Sequence, residues 1–402
     1  MRARVAGIRS RGGYRRNDLV GPGVLGTGTA PTRSGPQRRG RRDAERGDEP
    51  APGPVPGPDT GVESGVHPAS SPVPGPTAAA ASRPARGRAV VWAAGLLLVP
   101  PTAVVACRAA DRDGITPVIQ LLAFLPWLLV PAGLALLLAL LGRRPLLVAW
   151  AVAVLAVTGW YARPYDTGLA DRPPGPVVAR VDVLTANVQY GWATEALIEA
   201  VRRERPGIVF VQECPRSCVL ALARGVPRAD YPHRLAAGGE GAAGSALLSR
   251  YPLEPADGVS SALAMPGATA DVEGRPVDLQ LAHPLPPVPS AVGDWRRELG
   301  RLGTWAASHR DRPALIAGDF NATGDHAAFR RILDRGGLRD GAALAGAART
   351  PSWPARLPRP LGAQIDHVLV GDAFSVRSAR FLDLSGTDHR ALLVSLELHG
   401  MR

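Results

Sequence analysis

The chain has 402 residues, with 47 Arg and no Lys against 35 acidic residues, and a formal charge of +12. A hydrophobic content of 46% with 20% charged residues excludes a wholly disordered chain, and three Cys exclude a disulfide-dense scaffold. Residues 1–170 hold 20 Arg against 10 acids and residues 171–402 hold 27 against 25, so the basic excess lies in the first part and any enzyme belongs in the nearly neutral second part.

Residues 1–88 are Arg, Gly, Pro, Ser and Ala, with runs such as APGPVPGP over Ala51–Pro58. Such a segment cannot bury enough apolar surface to offset its ordering entropy, so a disordered tail is expected. Three apolar stretches follow: Ala89–Cys107, Ile115–Leu141 and Leu146–Tyr161, of 19, 27 and 16 residues without a charge. A membrane span needs about 20 apolar residues, so these predict about three transmembrane helices, over 89–107, 115–141 and 146–161. They contain no ionisable residue of the kind a transporter core would carry. Arg83, Arg86 and Arg88 precede the first stretch, and Arg143 and Arg144 separate the last two. Both basic flanks belong on the cytoplasmic side. The N-terminus is then cytoplasmic, and everything after the third span is extracytoplasmic, at the cell membrane of a multi-pass protein.

Residues 162–177 read as a Pro-rich tether, and a compact domain over 178–402 follows. Strands are expected at Val178–Ala186, Ile208–Gln212, Ser245–Leu248, Val277–Ala282, Ala314–Ala317, Ile365–Val370, Ser375–Leu382 and Ala391–Leu398. Helices are expected at Thr194–Arg205, with Thr194 as its N-cap, and at Val292–Ala307 and His326–Asp334. Many strands with a few interspersed helices predict a layered α/β domain.

The polar residues at strand ends carry the chemistry. Asn occurs only at positions 17, 187 and 321, and the last two directly follow apolar strands, in LTAN and GDFN. Glu213 ends VFVQE, His283 ends VDLQLAH, Asp366 and His367 lie in QIDHVLV, and Asp388 and His389 lie in SGTDH. The shared chemistry is hard oxygen ligands (Glu213, Asp319, Asp388 and the amides of Asn187 and Asn321) together with imidazoles. Such oxygens suit Mg2+, or Mn2+, which bind substrate phosphates, whereas zinc would show closely spaced His and Cys. Imidazoles beside the metal offset phosphoryl charge or transfer protons.

In that order, these residues resemble the endonuclease/exonuclease/phosphatase superfamily of Mg2+-dependent phosphoesterases, over roughly residues 178–398. GDFN and the terminal SGTDH are the most specific parts. The resemblance implies a four-layer α-β-β-α sandwich with the site at one rim of the sheets. It also implies that Asn187 and Glu213 form the metal-site pair, with Asp388 a further metal-associated carboxylate. Asp319 is implied to orient or deprotonate the attacking water. Asn321 is implied to bind the phosphate, His389 to contact it while oriented by Asp366, and His283 to be the second phosphate-facing imidazole. His367 receives no role.

Substrate is left open by the departures from the pattern. Cys214 and Pro215 follow Glu213 where DNA-cutting members usually carry Lys, and Gln189 stands where those members carry an acid. A domain charge of +2 offers little basic track for nucleic acid. The expected substrate is a phosphate ester, whether nucleic acid, phospholipid or small molecule, with membrane lipid contacted through the spans and no protein partner. The competing reading is a catalytically inactive, membrane-tethered binding or scaffold protein; no key polar position is missing. Cys214 and Cys218 permit a disulfide outside the cytoplasm or two free thiols. Cys107 reads as apolar filler, Trp295 and Trp305 as packing, and His233, His309, His326 and His399 as structural or solvated.

Overall fold

The computed structural model describes residues 83–163 and 175–400. The expected tail up to residue 82 and most of the tether, 164–174, lie outside the described residues. Residues 83–88, expected in the tail, form the first turns of helix α1, Arg83–Ala109.

The apolar region continues with α2, Val118–Leu122, a 3-10 turn at Leu125–Leu128, α3, Leu129–Leu141, and α4, Pro145–Ala162. Two helices among the described residues are long and apolar enough to cross a membrane, Arg88–Ala109 and Pro145–Ala162. Their 22 and 18 residues reach about 33 and 27 Å at about 1.5 Å per residue, against a hydrocarbon core of about 30 Å. The expected 27-residue span over 115–141 does not form. Pro126 lacks an N–H and its ring clashes with the carbonyl four residues back, which is Leu122, where α2 stops. α3 retains 13 residues, about 20 Å.

α1, α3 and α4 pack together through small side chains, with Ala132, Ala135 and Ala151 buried against Leu98 and Val154. Their outward faces carry Leu96, Val130, Leu137, Leu146 and Trp160, each more than half exposed. The turn at Gly142 abuts Val90 near the start of α1, so α3 runs back along α1. The C-terminal ends of α1 and α4 meet, with the Arg108 guanidinium 4.7 Å from the centre of the Tyr161 ring.

The second part is built on two six-stranded sheets. One contains β1 (Val177–Asn187), β2 (Ile208–Gln212), β3 (His233–Ala237), β4 (Ser245–Ser249), β11 (Phe374–Asp383) and β12 (Arg390–His399), in the order β11-β12-β1-β2-β4-β3. The other contains β5 (Leu253–Val259), β6 (Met265–Val272), β7 (Arg275–Ala282), β8 (Ala314–Asp319), β9 (Arg339–Asp340) and β10 (Asp366–Val370), in the order β5-β6-β7-β8-β10-β9. β1 pairs in parallel with β2, and β7 in parallel with β8, at the centre of their sheets.

Side-chain alternation along these strands produces the layers. Val181 and Val183 of β1 and Phe210 of β2 face Leu279, Leu281, Leu315 and Val368 of the opposite sheet. Leu184, Ala186, Val209 and Val211, one residue out of phase, pack beneath α5 (Thr194–Glu204) and α6 (Arg216–Gly225). Ile316 and Leu369 do the same beneath α7 (Val292–Ser308) and α8 (Ala327–Gly336), around the fully buried Trp295. The result is helices, sheet, sheet, helices. One local expectation fails: Ala193, not Thr194, is the N-cap of α5, and the Thr194 hydroxyl instead donates to the Gly191 carbonyl.

The two parts are joined by folded contacts from the end of α1 and from the segment between α1 and α3. Asp113 accepts from the backbone N–H groups of Ala327 and Ala328. Asp325, buried, pairs with both Arg108 and Arg349. Gln120 donates to the Pro287 carbonyl and Trp127 to the Pro360 carbonyl.

Candidate active site

The strands place their terminal polar residues together because parallel neighbours end on the same side. Asn187 ends β1 opposite Gln212 of β2, and Glu213 comes next along the chain. In the other sheet Ala282 of β7 lies beside Gly318 of β8, so His283 and Asp319 emerge side by side, while Asp366 of β10 pairs directly with Asp319. Gly318 is required by this packing: at φ +157°, a Cβ would lie 1.9 Å from the Ala282 carbonyl oxygen.

Asn187 joins the sheets. Its Nδ2 is 3.0 Å from Glu213 Oε1 and 3.2 Å from Asp319 Oδ2, and its Oδ1 accepts from Gln189 N. Glu213 Oε2 accepts from Tyr190 N at 2.9 Å. His389 Nδ1 is 2.9 Å from Asp366 Oδ2, and its Nε2 is 3.7 Å from Asp319 Oδ2. His283 Nε2 stands 4.0 Å from Glu213 Oε1. Glu213 and Asn321 both adopt left-handed backbone, at φ +54° and +48°, a conformation non-glycine residues adopt at a cost. Asn321 is held there by its own N–H to Asp319 Oδ1, by Nδ2 to the Pro284 carbonyl and by the Trp295 indole on its carbonyl. Trp295 is thus packing, as expected, and also a fastening for the GDFN turn.

Burial and the neighbouring charges together set the protonation states. Burial pushes the Asp319 carboxyl up to about 7, with the His389 charge opposing and Asp366 adding to the rise. For His389, burial disfavours the imidazolium, but Asp366 and then Asp319 outweigh it and raise the ring to about 10. Burial, followed by repulsion from His389, lowers His283 to about 3. One imidazole is therefore a cation and the other neutral at pH 7, beside a carboxyl poised near neutrality.

Asp388 lines the same cleft, with Oδ2 accepting from the Trp353 indole at 2.9 Å. His367 faces away from the cleft: Nδ1 is 3.0 Å from Asp340 Oδ2 and Nε2 is 3.0 Å from the Ala322 carbonyl oxygen. Cys214 and Cys218 are bonded as a disulfide directly after Glu213. His326 is buried between Thr323 and the Ile119 carbonyl, and Nδ1 accepts from Thr323 N, so Nε2 carries the hydrogen donated to Ile119.

Three supporting residues escape sequence reasoning. Ser352 Oγ accepts from the N–H of both Ile365 and Asp366. Thr387 Oγ1 accepts from His389 N and donates to the Asn187 carbonyl, tying SGTDH to LTAN across the site. Trp353 fixes Asp388. Thr387 lies within SGTDH, so its place in that series is a signal; Ser352 and Trp353 carry none.

Asp319, Asp366 and His389 offer ligand atoms within 4.8 Å of one another, a spacing a metal ion could use. Two of them are committed to each other, because a protonated imidazole bound to Asp366 cannot donate a lone pair. The place where Glu213 and Asp319 converge has carboxylate oxygens and a surplus of negative charge, which suits a hard divalent cation; Asn187 meets both carboxylates through Nδ2, so it offers its oxygen to such an ion only with the amide turned over.

The sequence profile of the Endonuclease/Exonuclease/phosphatase family matches residues 184–389. The chain belongs to that family. The matched span runs from the end of β1 to His389 and includes every residue of the site; members of the family hydrolyse phosphate esters. Among solved structures, the chain is similar to a Bacteroides vulgatus endonuclease/exonuclease/phosphatase at 16% identity, with 55% of this chain and 100% of that one covered and a TM-score of 0.43. A Bacteroides thetaiotaomicron member of the family gives 14% identity, coverage of 55% and 99%, and a TM-score of 0.44. A humanized D. rerio TDP2 carrying 14 mutations gives 13% identity, coverage of 54% and 98%, and a TM-score of 0.43. No curated protein matches the chain.

Proposed function

We propose that this chain is a membrane-anchored, divalent-metal-dependent phosphoesterase that hydrolyses phosphodiester or phosphomonoester bonds. The observation that carries this reading is the convergence of Asn187, Glu213, Asp319, His283 and His389 at one end of both sheets, with Asp366 behind His389.

Asn187 and Glu213 are assigned to the metal, with Asp388 as a further carboxylate on the same rim. When bound, Mg2+ or Mn2+ supplies Lewis-acid polarisation of a phosphoryl oxygen. Asp319 takes the proton of the attacking water, a task suited to a carboxyl near neutrality. His389, held protonated by Asp366, offsets charge on the phosphoryl oxygens. His283, neutral, presents a hydrogen-bonding nitrogen to the phosphate, and its Nδ1 has no hydrogen-bond partner among protein atoms. Asn321 binds the phosphate from the GDFN turn.

The membrane assignment rests on the apolar bundle. Large side chains outward and small ones inward invert the pattern of a water-soluble helix pack and match helices in lipid. α1 and α4 are assigned as spans running in the same sense, with α3 and its 3-10 turn returning between them. Arg143 and Arg144 then lie with the N-terminus on the cytoplasmic side, and the catalytic domain lies outside.

The full chain, purified in detergent, should hydrolyse an aryl phosphodiester or phosphomonoester with Mg2+ or Mn2+ and stop on chelation. Hydrolysis undiminished by chelator removes the metal from the mechanism. A reporter active only outside the cytoplasm, fused after Arg402, should give signal; silence overturns the orientation.

A further inference from the structure

We propose that the active-site cleft takes an amphiphilic phosphate ester: a membrane lipid whose phosphate reaches the floor and whose hydrocarbon lies against the segment between α1 and α3. This rests on the phosphoesterase reading and on α1 and α4 as spans.

The cleft has a volume of about 820 Å3 and two chemically distinct halves. Its floor is the polar set of Glu213, His283, Asp319, Asn321 and His389. One wall is Pro117, Ala123 and Phe124, contributed by the segment between the apolar helices. The facing wall is the loop Leu285–Pro289. Phe124 packs on Trp353 with ring centroids 6.4 Å apart, which closes the apolar side down to Asp388, the carboxylate that Trp353 holds.

Both walls are fixed. Gln120 donates to the Pro287 carbonyl across the cleft, and the buried Glu298 accepts from Leu285 N at 2.8 Å. The first wall belongs to the short stretch where the chain leaves one apolar helix and enters the next, so the mouth of the cleft lies at the level where these helices emerge from lipid. Apolar side chains stand exposed beside it. Val288 is 45% exposed next to Pro287, and Leu361 is 37% exposed next to Pro360, the acceptor of the Trp127 indole.

Charge decides against a polynucleotide. The chain has 47 Arg, yet among the described residues no Arg lines the cleft. A strand laid through it would bring phosphates on either side of the scissile one against proline, leucine and phenylalanine, with no cation to replace lost counterions. A lipid carries its charge in the headgroup and apolar chain beyond, which is the order of surfaces from floor to mouth. In the reaction water forms the new P–O bond, the P–O bond to the alcohol breaks, and the departing alkoxide takes up a proton, leaving a free alcohol and a phosphate with one fewer ester link.

The test uses the full chain in mixed micelles with Mn2+. Four substrates are compared: phosphatidylglycerol (a diester), phosphatidic acid (a monoester), bis-p-nitrophenyl phosphate and a single-stranded oligonucleotide. One of the two lipids should turn over at least about tenfold faster than the aryl ester, and which one distinguishes diester from monoester. Phe124→Ser, and independently the exposed Val288→Asp, should lower the ratio of lipid to aryl turnover about tenfold, the scale on which one apolar side chain binds hydrocarbon. Aryl hydrolysis without lipid preference, oligonucleotide cleavage as fast as lipid hydrolysis, or an unchanged ratio in both variants overturns the lipid assignment alone. No hydrolysis of any ester overturns the phosphoesterase reading with it.

Discussion

The carboxylate of Asp113 caps α8, with Oδ1 2.7 Å from Ala327 N and Oδ2 3.2 Å from Ala328 N. The cap comes from the segment between the apolar helices, more than 200 positions earlier in the chain. The local N-cap residue, His326, supplies none, because its ring is spent on Thr323 and on the Ile119 carbonyl. A buried carboxylate at a helix N-terminus satisfies otherwise unpaired N–H groups and meets the positive end of the helix dipole. The segment is thereby part of the catalytic fold and not a passive connector.

Asp113→Ala should therefore lower the stability of the full chain by about 1–3 kcal/mol, the cost of leaving buried donors unpaired. Asp113→Asn, which still accepts a hydrogen bond, should lose less. Chemical denaturation in detergent, followed by the near-ultraviolet signal of the tryptophans, reads both. Equal stability in wild type and Asp113→Ala would show that the contact is not made.

Stability should also depend on pH through His367. Burial disfavours its cation, but the charge and hydrogen bond of Asp340 outweigh burial, with the Ala322 carbonyl and Asp366 adding to the rise. The folded value thus lies above the unfolded one of about 6.5. The stabilisation is complete below that pH and is lost as pH rises through the folded value. Asp340→Asn removes the main partner, so wild type minus variant stability should be largest at pH 6 and shrink toward alkaline pH. A difference constant from pH 6 to 9 contradicts the pairing.

Short, near-continuous apolar runs are enough to place β1, β2, β7, β8, β10 and β12, since apolar residues on both faces are what a strand between two cores requires. The strand-end polar residues are legible for the same reason: Asn187, Glu213, His283 and Asp319 each interrupt an apolar run where no packing need explains them. β5 is not, because it is an edge strand with Pro255 and mostly exposed side chains, held by backbone pairing to β6. The second apolar run has the composition of a span, while Pro126 decides its geometry. The Trp353–Asp388 contact and the cleft wall at Phe124 depend on tertiary proximity that no local pattern encodes.

The disulfide gives a countable outcome. Cys214 and Cys218 are bonded and Cys107 is free. Denatured, non-reduced protein should expose one thiol to a maleimide label, and reduced protein three. Reduction should cost about 2 kcal/mol of stability. Three labelled thiols without reductant would remove both the bond and a support for an extracytoplasmic domain.

In the proposed mechanism Asp366 acts chiefly through His389, beside a smaller contribution to the raised Asp319 carboxyl. Its Oδ2 fixes the Nδ1–H of the imidazole, turns Nε2 toward Asp319 and is the main source of the ring's raised affinity for its proton. His389→Ala should lower kcat by about 10²-fold or more, the usual scale for a group that stabilises transition-state charge. Asp366→Asn should lower kcat with KM little changed, because the substrate loses a charge it meets mainly in the transition state. Residues acting as one unit are not additive, so the double variant should be no slower than His389→Ala alone. Circular dichroism should be unchanged in all three. If the two losses multiply in the double variant, Asp366 acts by a route other than His389, and its place as the orienting carboxylate is lost.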